Sequence, residues 1–129
     1  MPELRPDLIG TATTLVTPAN TAQTVGSGSL GVFATPMMIA LMEQAACAAL
    51  AGCLAPGQTS VGTAIAVAHT AASGLGMNIT ATAAVTAVNG RSIDFEVAAR
   101  DDAGEIGRGT HTRVLVTEGK FMERAGQRR

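Results

Sequence analysis

The sequence has no tryptophan, no tyrosine and only three phenylalanines among its 129 residues. Proteins that bind single-stranded nucleic acids stack the bases on exposed aromatic side chains, and nucleic-acid binding in general needs a basic surface. This chain has a formal net charge of −1, so it meets neither requirement. We therefore expect no nucleic-acid partner.

Cysteine is also scarce, and the two cysteines, Cys47 and Cys53, lie in one predicted helix. They are about 9 Å apart along the helix axis and point to different faces, so a disulfide between them would break the helix. Two distant histidines and no CxxC motif give no basis for a metal site. The first nine residues lack the apolar core of a signal peptide. We expect reduced thiols packed in the core, no metal and a cytoplasmic location.

One apolar stretch, Thr35–Cys53, is predicted to form a central helix. Thr35 suits the N-cap and Pro36 the first helical position, and the Met, Leu and Ala residues that follow are strong helix formers. Because the stretch is apolar on every side except around Glu43, it should be buried in a core or a membrane. A carboxylate near mid-membrane costs at least about 2.5 kcal/mol. We therefore expect a core helix and no membrane partner.

Strand patterns surround this helix. A β-branched strand is predicted at Gly10–Val16, followed by a flexible loop at 17–34. Four runs with a period of two residues follow the helix and are separated by turn signals: Thr59–Ala72, Met77–Val88, Ile93–Ala99 and Glu105–Thr117. The polar residues 118–129 are expected to form a frayed tail. The prediction is a single α+β domain over residues 1–129, with one antiparallel sheet packed on one buried helix.

Few side chains in this chain could carry chemistry. His69 alternates with Ile65 and Val67, so it is predicted to face the helix, where the Glu43 carboxylate and the imidazole could form an acid–base pair. Each residue also has a structural interpretation. His69 could be a core histidine bonded to a carbonyl, and Glu43 an interface carboxylate paired with an arginine. For His111 an exposed or interface position is favoured.

The beginning of the helix offers a second possible chemical role. Free backbone N–H groups at a helix N-terminus attract negative charge, so residues 35–38 could form half of an oxyanion hole. The glycines of Gly26–Gly31 match a dinucleotide-binding spacing. No apolar strand directly precedes them, however, so we do not expect a dinucleotide cofactor.

Three motifs occur together in this chain: Thr35 followed by LME at 41–43 and AC at 46–47, VGTAI and VAHTA within 61–71, and EIGRGTHTR at 105–113. They resemble the motifs of the hotdog-fold acyl-CoA thioesterases, in particular the fluoroacetyl-CoA thioesterase-like group. The resemblance covers roughly residues 33–117. It implies a hotdog fold, in which a curved antiparallel sheet wraps around one long central helix, usually in a homodimer. It also implies hydrolysis of acyl thioesters.

The resemblance also implies roles for individual residues. Glu43 would act as nucleophile or general base, His69 would handle the proton at the leaving thiolate, and Thr35 would position the water or carboxylate. The family's substrate contacts match Gly62, through its backbone N–H, Thr70 and Arg113. No cofactor is implied, since coenzyme A is part of the substrate. Thr35 and Glu43 are about 12 Å apart along an ideal helix, so Thr35 must reach in from the preceding loop or from a partner subunit.

One departure from the family concerns substrate range. The loop before the helix is rich in Gly and Ser, with Phe33 as its aromatic residue, so the aromatic gate of the fluoroacetyl-specific enzyme is mostly missing. This predicts a broader acyl-CoA range. Other readings are a non-catalytic acyl-CoA or small-ligand binding protein, a hydratase-like hotdog, and a structural oligomerisation module. The presence of all three catalytic residue types favours the thioesterase.

Overall fold

The computed structural model describes residues 3–128. Met1, Pro2 and Arg129, which fall in the segments predicted to lack a signal peptide and to form a tail, lie outside the described residues. The elements follow one another in the chain as β1 (Ile9–Leu15), α1 (Ala22–Val25), α2 (Thr35–Leu50), β2 (Gln58–His69), β3 (Asn78–Asn89), β4 (Ser92–Asp101), β5 (Gly104–Thr117) and α3 (Glu118–Gln127), with short 3-10 turns at Pro18–Asn20 and Ala51–Cys53.

The five strands form one antiparallel sheet in the order β1-β3-β4-β5-β2. The sheet curls around α2, and this arrangement is the predicted hotdog fold. The helix packs mainly on β1 and β3. Its buried residues, which join the sheet in a single core cluster, are Met38, Leu41, Met42, Ala45, Ala46, Ala49 and Leu50.

The prediction that α2 is apolar and buried on every side is only half right, because the helix buries one face. Thr35–Cys53 is long and apolar enough to cross a membrane, but the core helix of a soluble protein can be equally long and apolar.

Cys53 is buried, but Cys47 is exposed, so the predicted core position of Cys47 is wrong. The exposed face is lined by small residues such as Ala40 and Ala48. A surface of this kind suits close contact with another apolar surface.

The N-terminus of α2 differs from the prediction. The N-cap residue is Ala34, and Thr35 is the first residue of the helix. The N–H groups of Met37 and Met38 both donate to the carbonyl of Ala34, each at 3.0 Å, and proline has no N–H. The prediction that residues 35–38 form half of an oxyanion hole is therefore wrong for Pro36, Met37 and Met38. Of these four residues, only Thr35 could still offer an N–H to an oxyanion.

The segment before α2 is held by hydrogen bonds to the buried Asn20. The Asn20 amide donates to the carbonyl of Leu15 at 2.9 Å, and its Oδ1 accepts from the N–H of Thr17 at 3.0 Å. Its own carbonyl accepts from the N–H of Ala34 at 3.0 Å. The predicted flexible loop is thus anchored at both ends, and this anchoring fixes the position at which the central helix begins.

Strand β2 contains a bulge that changes which residues face the helix. Its register against β5 shifts just after Gly62, where Thr63 is an extra residue. Gly62 is paired with Arg113, which is buried, and paired residues of an antiparallel ladder project to the same face. Gly62 therefore shares the helix-facing side with His69. Val61 and Thr63, which simple alternation places on that side, do not.

The C-terminal residues predicted as a frayed tail contain helix α3. It packs lightly against the end of β5, and none of its residues is buried. The segment is mostly polar, but its few apolar residues cluster on one side of the helix, a periodicity that the prediction of a frayed tail overlooked.

Candidate active site

Thr35 and His69 meet where the end of β2 reaches the beginning of α2. The hydroxyl oxygen of Thr35 lies 2.7 Å from Nδ1 of His69, although the two residues are 34 positions apart. The anchored segment before the helix and the curvature of the sheet bring these two ends together. A hydrogen bond of this length fixes the orientation of the imidazole ring.

His69 lies in an environment that favours its neutral form. Desolvation lowers the pKa of His69, and the backbone of Ala71 opposes this effect only in part. The other ring nitrogen, Nε2, is buried and has no hydrogen-bond partner within residues 3–128. Leaving a buried polar atom unpaired costs about 1–3 kcal/mol. Nε2 is therefore the atom of this site at which a substrate, a water molecule or a second chain is expected.

A cavity of about 290 Å³ opens beside this pair. It is lined by Thr35, His69 and Thr70, with Phe33 in its wall and small residues completing it. The N–H of Thr70 donates to the carbonyl of Ile106 at 2.7 Å. Thr70, which the family resemblance associates with coenzyme A, is thus exposed and held at the mouth of this cavity.

Glu43 and Arg113 form a second cluster further along α2. Oε2 of Glu43 lies 3.2 Å from Nη1 of Arg113. Arg113 is almost completely buried and also donates from Nε to the hydroxyl of Ser60 at 2.8 Å and from Nη2 to the Ser60 carbonyl at 3.0 Å. The side chain of Glu43 is 41% exposed, and its Oε1 accepts no hydrogen bond from the described residues. The guanidinium orients one carboxylate oxygen and leaves the other without a hydrogen bond from the described residues.

Gly62 provides the space that this carboxylate occupies. A Cβ atom at Gly62 would lie 2.6 Å from Oε2 of Glu43 and 3.3 Å from Nη1 of Arg113. Real Cβ atoms do not come that close to an oxygen. A side chain at position 62 would therefore displace the carboxylate.

His111 belongs to the same cluster, and its predicted exposed or interface position is wrong. It is 2% exposed, with Nδ1 2.8 Å from the carbonyl oxygen of Ala64 and Nε2 3.3 Å from Nη1 of Arg113. The inward face of this stretch of β5 reads Gly107, Gly109, His111 and Arg113, and the outward face reads Arg108, Thr110, Thr112 and Val114. Hydropathy does not distinguish these two faces. The spacing of two residues between His111 and Arg113, however, indicates that both lie on the same face of the strand.

The structure does not bring all predicted catalytic residues together in one chain. Thr35 contacts His69, whereas Glu43 contacts Arg113, so the predicted Glu43–His69 pair does not form within the chain. The two clusters lie about 12 Å apart along the helix axis. Both face the helix side of β2, near its two ends. No group of three or more His, Cys, Asp or Glu side chains suited to a metal exists within the described part of the chain.

Comparison with known proteins gives concordant matches. The family model described as fluoroacetyl-CoA-specific thioesterase matches residues 16–119. The fluoroacetyl-CoA thioesterase of Streptantibioticus cattleyicolor is 45% identical over 97 residues, which span 75% of this chain and 70% of that protein. A crystal structure of a mutant fluoroacetyl-CoA-specific thioesterase superposes with a TM-score of 0.93 at 36% identity and covers 100% of both chains. A complex of that mutant with fluoroacetate and coenzyme A gives a TM-score of 0.86 at 39% identity, covering 92% of this chain and 99% of the other.

Proposed function

This chain belongs to the family of the fluoroacetyl-CoA-specific thioesterases, and we propose that it hydrolyses acyl-CoA at a Thr35/Glu43/His69 site shared by two subunits. The products are the free acid and coenzyme A. The proposal of a shared site rests on the separation of its catalytic residues within one chain. A buried, unpaired Nε2 of His69 lies at one end of β2, and an oriented Glu43 lies near the other end.

The exposed edge of β2 supports a homodimer. This strand is 12 residues long, lies at the edge of the sheet and contains no proline, lysine, arginine or acidic residue. Sheet edges that must stay unpaired usually carry charges or proline, because a row of free N–H and C=O groups otherwise recruits another strand. A second β2 is the partner proposed here. The small residues on the exposed face of α2 would be covered in the same contact.

An antiparallel pairing of two β2 strands would also unite the site. With a two-fold axis near Ala66, His69 of the partner subunit would lie beside the bulge at Gly62 and Thr63. His69 and Gly62 both face the helix side of the sheet, so Glu43 of one subunit and the Thr35–His69 pair of the other would meet. This arrangement accounts for the separation of about 12 Å within one chain.

The chemistry proposed for this site uses each group once. The thioester carbonyl lies at the N–H of Gly62, which stabilises the oxyanion that develops. Glu43, oriented by Arg113, either attacks the carbonyl carbon, forming an anhydride that water hydrolyses to the free acid once the thiol has left, or removes a proton from a water molecule that attacks the carbonyl carbon directly. The C–S bond then breaks, and the leaving sulfur is stabilised by Nε2 of His69, whose ring is held by Thr35. When Thr35 donates to Nδ1, Nε2 carries the ring proton and faces the sulfur as a donor.

We further propose that the enzyme accepts acyl groups beyond fluoroacetyl. The residues around the Thr35–His69 cavity are mostly small, and Phe33 is the one aromatic among them. Phe33 is 1% exposed and belongs to the core. A wall of this kind holds a small acyl group without selecting for fluorine.

The cysteines, neither of which forms a disulfide, are in keeping with a cytoplasmic location.

The test is release of free thiol from acyl-CoA thioesters ranging from acetyl and fluoroacetyl to medium-chain and aromatic acyl groups. Wild type and Glu43→Ala are compared, with Gln44→Ala, an exposed neighbour on the same helix, as the matched control. Turnover that Glu43→Ala abolishes and Gln44→Ala retains supports the proposal. Tight binding of coenzyme A esters without turnover would instead favour the binding-protein alternative.

A further inference from the structure

We infer that His111 is a positioning residue, which holds the Glu43 carboxylate and the Gly62 backbone in one fixed arrangement. This inference rests on the proposed function, because it assigns His111 to the reaction carried out by Glu43. His111 contacts neither the Thr35–His69 cavity nor solvent. Its effect on the reaction has to pass through Arg113 and through the backbone of β2.

The protonation state of the His111 ring follows from its two partners. Nδ1 lies 2.8 Å from the carbonyl oxygen of Ala64, and a carbonyl can only accept, so Nδ1 carries the proton. Nε2 lies 3.3 Å from Nη1 of Arg113, and a guanidinium can only donate, so Nε2 presents its lone pair. A second proton, on Nε2, would make the ring an imidazolium cation directly beside the guanidinium cation. The structure therefore requires a neutral ring in one tautomer.

Nη1 of Arg113 is shared between His111 and the carboxylate. It has acceptors on two sides, Nε2 of His111 at 3.3 Å and Oε2 of Glu43 at 3.2 Å. The other guanidinium nitrogens are both bound by Ser60. Because the guanidinium is planar, the two bonds to Ser60 fix one side of it, and Nε2 of His111 is the group that fixes the Nη1 side independently of the partly exposed carboxylate. The imidazole thus holds the guanidinium in the place from which it orients Glu43.

The other side of the ring holds the bulge of β2. Ala64, whose carbonyl binds Nδ1, follows the extra residue Thr63 directly. Cε1 of the ring lies 3.2 Å from the position that a Cβ of Gly62 would take. The ring also stacks on Phe95, with centroids 5.8 Å apart and planes inclined by 29°. One rigid side chain therefore sets the distance between the proposed oxyanion donor at Gly62 and the carboxylate.

Two substitutions separate this role from simple packing. His111→Phe keeps a ring beside Phe95 but loses both hydrogen bonds, and we expect kcat to fall about 10-fold or more with KM nearly unchanged, because small misplacements of reacting groups are costly. His111→Gln keeps a donor and an acceptor and should restore most of kcat. Unfolding midpoints of both variants are measured alongside. An unchanged kcat in His111→Phe would overturn the inference.

A double-mutant cycle with Arg113→Met tests the route of the effect. Because His111 acts partly through Arg113, His111→Phe should lower kcat less in the Arg113→Met background than in the wild type. Equal losses in both backgrounds would overturn the route through Arg113. The expected non-additivity is a property that a purely structural histidine would not produce.

A readout without turnover keeps this inference separate from the proposed function. Nitrogen NMR of labelled wild-type protein should show His111 protonated at Nδ1 and not at Nε2, and Arg113→Met should perturb the Nε2 signal. An Nε2-protonated ring or an imidazolium at neutral pH would overturn the positioning role, even if His111→Phe fails to fold. If no acyl-CoA is hydrolysed by the wild type, the proposed function fails, whatever tautomer is found.

Discussion

A Cβ atom on Gly62 would lie 2.6 Å from Oε2 of Glu43, so the absence of a side chain at position 62 is what allows the carboxylate to sit against β2. Gly62→Ala should therefore lower kcat by about 10-fold or more, because the carboxylate moves away from its reacting position. Gly52→Ala is the matched control, since nothing lies within 4 Å of a Cβ there. Thiol release by both variants checks this, and equal activity would contradict it.

The sequence predicted the central helix and the strands well because their signals are local. Helix-forming residues after Pro36 and alternation in the later runs place these elements to within a few residues. The face assignment of β2 failed at Thr63, since nothing in a threonine indicates a bulge and one extra residue exchanges the two faces.

The contacts of the site depend on tertiary structure and were harder to predict. The resemblance named Thr35, Glu43 and His69 together. Only the curvature of the sheet determines that His69 meets Thr35, while Glu43 meets Arg113. The burial of His111 was missed because its face of β5 begins with glycines and looks no more apolar than the other face.

The pH dependence of activity should reflect the burial of His69. Desolvation lowers the pKa of His69 below the usual value of 6.5, so the ring stays neutral as the pH falls through 6.5. If the neutral ring is the active form, the acid limb of kcat/KM should have its midpoint below 6.5. An NMR titration of the His69 ring should give the same midpoint. A midpoint above 6.5 would contradict the assignment.

The same pKa shift has a consequence for stability. Because the unfolded chain takes up the proton of His69 at a higher pH than the folded chain, the full stability is present above pH 6.5 and declines as the pH falls towards the lowered folded-state pKa. His69→Asn should remove this part of the acid destabilisation. Denaturant unfolding of both proteins at neutral and mildly acidic pH measures the difference. Identical pH profiles would count against a buried neutral His69.

Phe33 should limit the length of the acyl group. It lines both the cavity beside His69 and a second cavity of about 430 Å³ between β1 and α2. Phe33→Leu should open a passage between them and raise the ratio of kcat/KM for hexanoyl-CoA to that for acetyl-CoA. Phe95→Leu makes the same change elsewhere in the core and should affect both substrates alike. A ratio that moves equally in both variants would show that Phe33 is not the boundary.

Mixing two inactive variants should restore activity if the site is shared between subunits. Glu43→Ala retains Thr35 and His69, and His69→Ala retains Glu43. A dimer with one chain of each has one complete site and one site that lacks both groups. When equal amounts exchange subunits freely, half of the dimers are mixed, so about a quarter of wild-type activity should return.

The control for this mixture is the doubly substituted chain, Glu43→Ala with His69→Ala, combined with either single variant. No dimer in those mixtures contains a complete site, so activity should stay at the level of the single variants. Mass measurement of the mixed sample confirms that subunits have exchanged. If exchange is complete and the two single variants together remain inactive, the catalytic groups act within one chain, and the geometry of α2 would have to change on binding to bring Glu43 to His69.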